Sequence, residues 1–408
     1  MQEVAKLMMK RTTLATVAVC GCILGLAGTV RAQDKTGGIV TERVPDGGIQ
    51  PQVAVGEDGT LHLLYFRGEA AHGDLWYVRR GKTDKEFSAP IRVNSQPGSA
   101  VAVGGMRGGQ IALGRGGRVH VVWNGSEMAR PEKKSASGSQ AAAAHGNDPM
   151  LYARLAGDGK AFESQRNLMT QTHFLDGGGT VAADAAGRVI VAWHANRVGE
   201  EGELERRVWV ARSSDDGATF AAEAAVSPEQ GGCCACCGMR AAFDREGREY
   251  FLYRAAGERI NRDMTLLSLG PKGAAATTVV DRWALQACTV SSACLMQSGR
   301  ELLLAWETQG QVRFGWFDPT VGKLARVTSA PGEPELRKYP AVAVNVRGEV
   351  VLAWIEGAGW GQVGTLRWQV FDSQGRPIAE EAGKIGNVPA WDVPAAHCRP
   401  DGRFGVLW

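Results

Sequence analysis

Four cysteines fall within five consecutive residues of the chain, and a fifth follows further along. They are Cys233, Cys234, Cys236, Cys237 and Cys288. Such a group can form disulfides that pin a loop, hold a soft metal such as Cu or Zn, or act as a redox-active pair or covalent attachment point. For the metal, His397 and Cys398 are further candidate ligands. Neighbouring residues of a regular strand point to opposite faces, so a shared site requires the segment to be a loop.

A second group of candidates combines arginines with a phenol and carboxylates. The candidates for catalysis are Arg107, Arg240, Arg337, Tyr339, Asp263 and Glu307. Three guanidinium groups that converge can bind a carboxylate bidentately. The alternative is that these arginines are solvated residues at a rim. No pair of carboxylates can be assigned as acid and nucleophile from the sequence.

A third group is predicted to bind a ligand. Its members are Arg240, Arg262, Asp263 and Trp283, all in the segment that follows the cysteine-rich stretch. Most tryptophans end inner strands of a repeat described below, which indicates a place in the core. Trp283, Trp360 and Trp391 do not follow that rule, and a tryptophan ring outside the core can stack on a sugar.

The elements that position these residues are predicted from a repeat. A small apolar strand, a turn containing glycine and an alternating strand ending in an aromatic residue recur seven times, 48 to 70 residues apart. The closing aromatics are Tyr65, Trp123, Trp193, Tyr253, Trp306, Trp354 and Trp408. Two further strands follow in most repeats, so each unit is a four-stranded meander that cannot bury both its faces alone.

Radial stacking of such meanders predicts an all-β fold, a β-propeller of seven blades, or six if one repeat is degenerate. The last repeat ends after two strands, and residues 38–44 are predicted to donate the strand that closes the ring. Residues 33–408 are predicted to form this single domain, with residues 125–148 as a mobile surface loop. The 54 glycines among 408 residues also disfavour a helical fold.

The N-terminus is typical of an exported protein. Basic residues up to Arg11 precede an apolar run, and we expect residues 1–32 to be a signal peptide cleaved before Gln33. An uncleaved anchor and a lipoprotein are the alternatives. Without residues 1–32 the chain carries equal numbers of basic and acidic residues, which gives no electrostatic basis for binding nucleic acid or an anionic membrane. The expected location is the periplasm or the medium, with no membrane span after cleavage.

One turn carries a family resemblance. Ser213, Asp215, Gly217, Thr219 and Phe220 resemble the Asp-box (BNR) repeat of the sialidase (neuraminidase) superfamily, whose members are β-propellers. The resemblance implies that these residues are structural, because the Asp-box lies away from the catalytic end. The cysteine-rich stretch resembles that of an exported bacterial subgroup with a Cys-Cys-x-Cys-Cys sequence. Active sialidases have an arginine followed by Ile-Pro or Leu-Pro in the first blade, and residues 49–53 of this chain, Ile-Gln-Pro-Gln-Val, lack that arginine.

Two classes of function follow from the resemblance and from the cysteines. The first is a glycan-binding propeller or a divergent glycoside hydrolase that acts at the axial mouth of the propeller. Because the first-blade arginine is missing, the sequence does not settle whether the chain is an enzyme. The second class is a non-catalytic envelope protein whose cysteine cluster binds a soft metal or a partner.

Overall fold

A computed structural model describes residues 38–129, 148–258, 260–270, 274–357 and 359–408. The predicted signal peptide lies outside these ranges, as does most of the loop predicted for residues 125–148. The described residues form β-strands, and their helical elements are short 3-10 turns at Pro45–Gly47, Arg115–Gly117 and Glu127–Ala129. In these ranges we find no helix with the length and apolar character that crossing a membrane requires.

The first three blades are antiparallel sheets built in chain order. The strand β1 (Ile39–Glu42) precedes them. Blade 1 contains β2 (Ile49–Val55), β3 (Leu61–Glu69), β4 (His72–Arg80) and β5 (Ile91–Arg92). Blade 2 contains β6 (Gln110–Leu113), β7 (Val119–Asn124), β8 (Met150–Arg154) and β9 (Arg166–Asn167). Blade 3 contains β10 (Thr172–His173), β11 (Thr180–Ala183), β12 (Val189–Arg197), β13 (Arg207–Ser213) and β14 (Ala224–Ala225).

The remaining blades follow the same order. Blade 4 contains β15 (Arg240–Phe243), β16 (Glu249–Arg254), β17 (Met264–Leu269) and β18 (Ala275–Asp281). Blade 5 contains β19 (Ala293–Ser298), β20 (Glu301–Thr308), β21 (Gln311–Asp318) and β22 (Lys323–Ser329). Blade 6 contains β23 (Lys338–Val344), β24 (Val350–Glu356), β25 (Gly364–Phe371) and β26 (Pro377–Val388). Blade 7 contains β27 (Ala395–Cys398) and β28 (Phe404–Leu407), joined by β1.

The ring closes through the pairing of β1 with β28. Ile39 lies opposite Phe404 and Glu42 opposite Leu407, in parallel register. The predictions of a seven-bladed propeller and of closure by an N-terminal strand are confirmed, and the six-bladed alternative is wrong. Within the described residues the closing blade has three strands, and its third strand runs parallel to its neighbour.

The core lies between adjacent blades rather than in one central layer. The second strand of a blade is apolar along most of its length because neighbouring sheets cover both its faces. Trp123, Trp193 and Trp306, which lie in three such strands, are at most 1 % exposed. Their indole N–H groups also find acceptors, as when Trp306 Nε1 donates to Asp281 Oδ2 at 2.7 Å. These tryptophans therefore fix the packing between blades.

The turn between β13 and β14 is held by its own side chains. Asp215 Oδ1 accepts from Ser213 Oγ at 2.7 Å and Asp215 Oδ2 accepts from Thr219 Oγ1 at 2.6 Å. Gly217 has a φ of +74°, which glycine adopts without strain. Phe220 packs edge-on against Tyr152 of blade 2, with ring centroids 4.8 Å apart. The turn thus joins blades 2 and 3. It lies at the end of β13 that is opposite to the connections between blades.

Candidate functional site

One face of the propeller carries most of the predicted site residues. We call it the upper face: there the second strand of each blade leads into the third, and the chain passes from one blade to the next. An axial cavity of about 380 Å³ lies below it, lined by the inner strands of the blades. Gln50, Arg240, Cys294 and Tyr339 line this cavity.

Residues 103–107, which we call the plug segment, cross the upper end of the cavity. The segment reaches blade 6, where Tyr339 Oη donates to Gly104 O at 3.4 Å. It also reaches blade 3, where a Cβ on Gly178 would lie 1.7 Å from Met106 O. Met106 is 4 % exposed. The plug segment therefore separates the axial cavity from the solvent above it.

Gln50 holds the residue that directly precedes the plug segment. Gln50 Nε2 donates to Ala102 O at 2.5 Å and to Trp391 O at 2.8 Å. The backbone N–H of Gln50 donates to Asp392 Oδ1 at 2.7 Å. Gln50 thus ties Ala102, which directly precedes the plug segment, to the connection between blades 6 and 7.

The three candidate arginines have separate partners. Arg107 forms an ion pair with Asp176, and its Nε donates to Asp176 O at 2.7 Å. Arg337 is 5 % exposed, and its Nε lies 3.0 Å from Glu356 Oε1. Arg240 points into the axial cavity, and its Nη1 donates to Met239 O at 2.9 Å. Each guanidinium group is therefore bound within its own part of the fold, and the structure does not join the three at one partner.

Glu307 and Tyr339 are both buried below the upper face. Glu307 is 1 % exposed, and its Oε2 has no hydrogen-bond partner among the described residues. Burial raises the pKa of Glu307, although Lys338 and Arg254 oppose the shift. Burial, assisted by the charge of Glu307, raises the pKa of Tyr339 to about 12. Tyr339 is 6 % exposed, so its phenol does not contact the solvent above the plug segment.

Arg262, Asp263 and Trp283 hold one connection in place. Arg262 Nη2 lies 2.8 Å from Glu203 Oε2, and Arg262 Nε donates to Ala287 O at 3.2 Å. The backbone N–H of Trp283 donates to Asp263 Oδ1 at 2.9 Å. These contacts anchor the segment that leads from blade 4 to blade 5 and carries Cys288.

Trp360 and Trp391 form an aromatic pair on the upper face. Trp360 lies between β24 and β25, Trp391 lies between β26 and β27, and their ring centroids are 4.7 Å apart in an edge-on arrangement. Trp360 is 58 % exposed. A Cβ on Gly104 would lie 3.3 Å from the Trp360 ring, so the pair borders the plug segment. Trp283 differs, because the guanidinium carbon of Arg254 lies 5.1 Å from the centroid of its ring.

Four of the cysteines form what we call the sulfur cluster: Cys234, Cys236, Cys237 and Cys288. A disulfide joins Cys236 to Cys288 across the connections on either side of blade 4. Cys234 Sγ lies 3.7 Å from Cys236 Sγ and 3.2 Å from Cys237 Sγ. Cys288 is exposed, whereas Cys234 and Cys237 are each 1 % exposed. The cluster therefore has an exposed disulfide in front and two buried free thiols behind it.

The other cysteines lie apart from the cluster. Cys233 is fully buried and forms an isolated bridge with Ala255, on the opposite side of the strand-like segment from Cys234. Cys294 lines the axial cavity, and Cys398 lies in β27 of blade 7 with His397. Among the described residues, the sulfur atoms of Cys234, Cys236 and Cys237 are the candidate metal-ligand group, all within 4.8 Å of one another.

Polar groups behind the cluster act on the thiol of Cys237. Burial raises the pKa of Cys237, but contact with Cys234, the charge of Arg254 and hydrogen bonds from Thr289 and Ser291 outweigh it and lower the pKa to about 5. Cys237 Sγ lies 2.9 Å from Thr289 Oγ1. The same contact with Cys237, together with burial, raises the pKa of Cys234. The contact between these two sulfur atoms therefore shifts their pKa values in opposite directions.

Sequence reasoning missed Arg254, Thr289 and Ser291, which surround Cys237. Arg254 is 1 % exposed, follows the aromatic Tyr253 and is the last residue of the second strand of blade 4. A charged residue directly after a buried aromatic was the signal that could have found it. Thr289 and Ser291 follow Cys288 closely, and an ordinary polar loop has the same composition.

The strand order of the described residues makes this chain a seven-bladed β-propeller. No protein-family model matches the chain, and no curated protein matches it. Among solved structures, a protein of unknown function from Dyadobacter fermentans has 13 % identity and a TM-score of 0.49, with 84 % of this chain and 94 % of that one covered. Two other similar structures were solved with a bound sugar.

The Penicillium chrysogenum α-L-arabinanase, solved with arabinobiose, has 12 % identity and a TM-score of 0.47, with 82 % of this chain and 95 % of that one covered. The Trypanosoma rangeli sialidase, solved with sialic acid, has 13 % identity and a TM-score of 0.48 over 84 % of this chain and 56 % of that one. At such distances these likenesses concern the fold and assign no activity to this chain.

Proposed function

We propose that this chain is an exported protein that binds a glycan on the upper face of its propeller. The observation that carries the proposal is the exposed Trp360 ring, paired edge-on with Trp391 beside the plug segment. An exposed indole offers a flat apolar surface on which the apolar face of a sugar ring can stack. Export follows from the pattern of residues 1–32.

The proposal is one of binding rather than hydrolysis. The Arg107 and Arg337 guanidinium groups are neutralised by Asp176 and Glu356, so a substrate carboxylate would have to displace an existing ion pair. Tyr339 is covered by the plug segment and donates to Gly104 O. A sugar can therefore contact the pair of Trp360 and Trp391 without contacting the phenol of Tyr339.

A glycan array probed with the purified chain tests this proposal. A sugar found on the array is then titrated by calorimetry against Trp360→Ala, with Val363→Ala as the matched control on the same connection, since Val363 is also exposed. We expect the Trp360 variant to bind about tenfold more weakly, because it loses the stacking surface, and the control to bind like the parent chain. Binding that Trp360→Ala leaves unchanged contradicts the proposal.

The sulfur cluster supports a second candidate function, the binding of a soft metal such as Cu or Zn. The supporting observation is that the sulfur atoms of Cys234, Cys236 and Cys237 lie within 4.8 Å of one another. Thiolates suit both metals, and reduction of the Cys236–Cys288 bond would free Cys236 as a ligand and add Cys288 as a fourth sulfur. Elemental analysis of protein purified without chelator tests it: about one metal ion per chain supports the candidate, and none contradicts it.

A further inference from the structure

The sulfur cluster places an exposed disulfide within reach of a buried pair of thiols. Cys234 Sγ lies 3.7 Å from Cys236 Sγ, which is bonded to the exposed Cys288. Behind Cys234, Cys237 Sγ lies at 3.2 Å. We propose that these four cysteines form a two-electron relay, in which the buried pair reduces an external disulfide by way of Cys236 and Cys288. This activity is separate from glycan binding.

The first step moves the disulfide one position inward. Cys234 Sγ attacks Cys236 Sγ, a Cys234–Cys236 bond forms, and the Cys236–Cys288 bond breaks. The electron pair of the broken bond leaves on Cys288, and that sulfur takes up the proton that Cys234 loses. Thiol–disulfide exchange requires the attacking sulfur to reach the disulfide, and Cys234 Sγ lies 3.7 Å from Cys236 Sγ.

The second step buries the disulfide completely. Cys237 Sγ attacks Cys234 Sγ, a Cys234–Cys237 bond forms, and Cys236 departs with the proton of Cys237. The chain then carries a buried disulfide and a reduced Cys236 and Cys288 pair. No electron has been gained or lost, because one disulfide has replaced another.

The third step passes the electrons to a partner. The thiolate of Cys288 attacks an external disulfide, R–S–S–R, and releases one thiolate, after which Cys236 attacks Cys288 and releases the second thiol. The Cys236–Cys288 bond forms again, so the chain now holds two disulfides and the partner has been reduced to two thiols. A small dithiol or a reduced protein thiol pair outside the chain restores the starting state.

The surroundings of the buried pair suit this role. Thr289 Oγ1 and Ser291 Oγ lie 2.9 and 3.7 Å from Cys237 Sγ, so this sulfur atom has polar neighbours despite its burial. Arg254 Nε donates to the same Ser291 Oγ at 3.0 Å and supplies a positive charge. Of these four cysteines Cys288 alone is exposed, which gives a partner one point of attack.

The relay is tested on the full chain in its native state with oxidised glutathione as the external disulfide. Free thiols are blocked with one alkylating reagent at successive times, the disulfides are reduced, and the freed thiols are labelled with a second reagent. Fragment masses then report each of the four cysteines separately. We expect Cys234 and Cys237 to lose reactivity together while two glutathione thiols appear per chain and Cys288 becomes transiently accessible.

Two variants separate the relay from ordinary oxidation. In Cys288→Ser the exposed point of attack is lost, and we expect oxidation of the buried pair to slow by about tenfold or more. The matched control is Cys398→Ser, in blade 7, which should oxidise at the parent rate. The time course of the parent chain is itself decisive, so the test does not depend on the folding of either variant.

The proposal is overturned if Cys234 and Cys237 stay reduced in the parent chain while glutathione is consumed elsewhere or not at all. It is also overturned if Cys288→Ser oxidises as fast as the parent chain, or if the purified chain holds about one Cu or Zn ion with all four thiols reduced.

Discussion

Arg254 and Cys237 are linked through the hydroxyl group of Ser291. Ser291 Oγ accepts from Arg254 Nε at 3.0 Å and lies 3.7 Å from Cys237 Sγ. Within the described part of the chain Arg254 forms no ion pair with a carboxylate, although it is 1 % exposed. The charge of Arg254 favours a negative charge beside it and lowers the pKa of Cys237. Cys234, Glu307 and Lys338 face the same space and complete its charge balance.

Removing the charge of Arg254 should raise the pKa of Cys237. We expect Arg254→Gln to shift that pKa upward from about 5 by about one pH unit or more, because the guanidinium no longer favours the thiolate. The near-ultraviolet absorbance of the thiolate, followed against pH, measures the shift. Arg254→Lys keeps the charge and serves as the control. An unchanged titration in Arg254→Gln contradicts the assignment of Arg254 as the counter-ion.

The same pKa makes stability depend on pH. A thiol whose pKa is lowered on folding contributes stability that is present above its unfolded pKa of about 8.5 and is lost as the pH falls through about 5. We therefore expect the difference in unfolding free energy between the parent chain and Cys237→Ser to shrink as the pH is lowered from about 9 to about 5. Denaturant titrations at several pH values measure it, and a difference that grows toward low pH contradicts the account.

The plug segment depends on a glycine opposite it. We expect Gly178→Ala to destabilise the fold by about 1 to 3 kcal/mol, because its Cβ would lie 1.7 Å from Met106 O and force the segment to move. Gly157→Ala is the matched control, since nothing lies within 4 Å of a Cβ there. Thermal unfolding monitored by tryptophan fluorescence compares them. Equal midpoints for the two variants would show that residues 103–107 do not pack across the axis.

Asp392 should make the fold less stable as the pH rises. Burial raises the pKa of Asp392 to about 6, against hydrogen bonds from Gln50 and Val393 that oppose the shift. The folded chain therefore holds a proton that the unfolded chain has lost between about pH 4 and pH 6, so this contribution to stability falls across that range. Asp392→Asn keeps the amide-accepting oxygen and should flatten the slope. Asp392→Ala should cost about 2 kcal/mol, through the N–H groups it leaves unpaired.

Arg337 should prove to be a structural residue. Its guanidinium lies 3.0 Å from Glu356 Oε1 and 2.9 Å from Gln311 Oε1, with 5 % of the residue exposed. We expect Arg337→Ala to destabilise the fold by about 1 to 3 kcal/mol, because Glu356 loses one of its two ion-pair partners and keeps only Arg367. Arg282→Ala, at an arginine whose side chain is 81 % exposed, should be nearly neutral. Unfolding midpoints in denaturant measure both effects. An Arg337→Ala variant as stable as the parent chain would contradict the assignment of Arg337 as a structural residue.

The sequence predicts the fold because the signals for it are local. An alternating strand that ends in Trp193 or Trp306 has the same pattern in each repeat, and the pattern of Ile39 to Glu42 identifies a strand that the last repeat lacks. The site is harder to predict, because its partners are distant in the chain. Cysteine spacing does not determine that Cys236 pairs with Cys288, and nothing in the sequence of residues 103–107 indicates that they cross the propeller axis.

The candidate arginines also show why the site is harder to predict than the fold. Arg107 and Arg337 have the residue type and position that a carboxylate clamp requires, and the sequence cannot reveal that Asp176 and Glu356 already neutralise them. Those ion pairs join residues from separate strands and connections. Only the packed structure shows which charges remain free for a ligand.

The central claim is that a glycan binds on the upper face beside Trp360. Hydrogen–deuterium exchange with and without a sugar selected on the array tests it most directly, because it reports each segment of the intact chain. The account predicts slower exchange in the connections that carry Trp360 and Trp391, at residues 359–363 and 389–394. Protection confined to the opposite face, or no protection at a saturating sugar concentration, would contradict it.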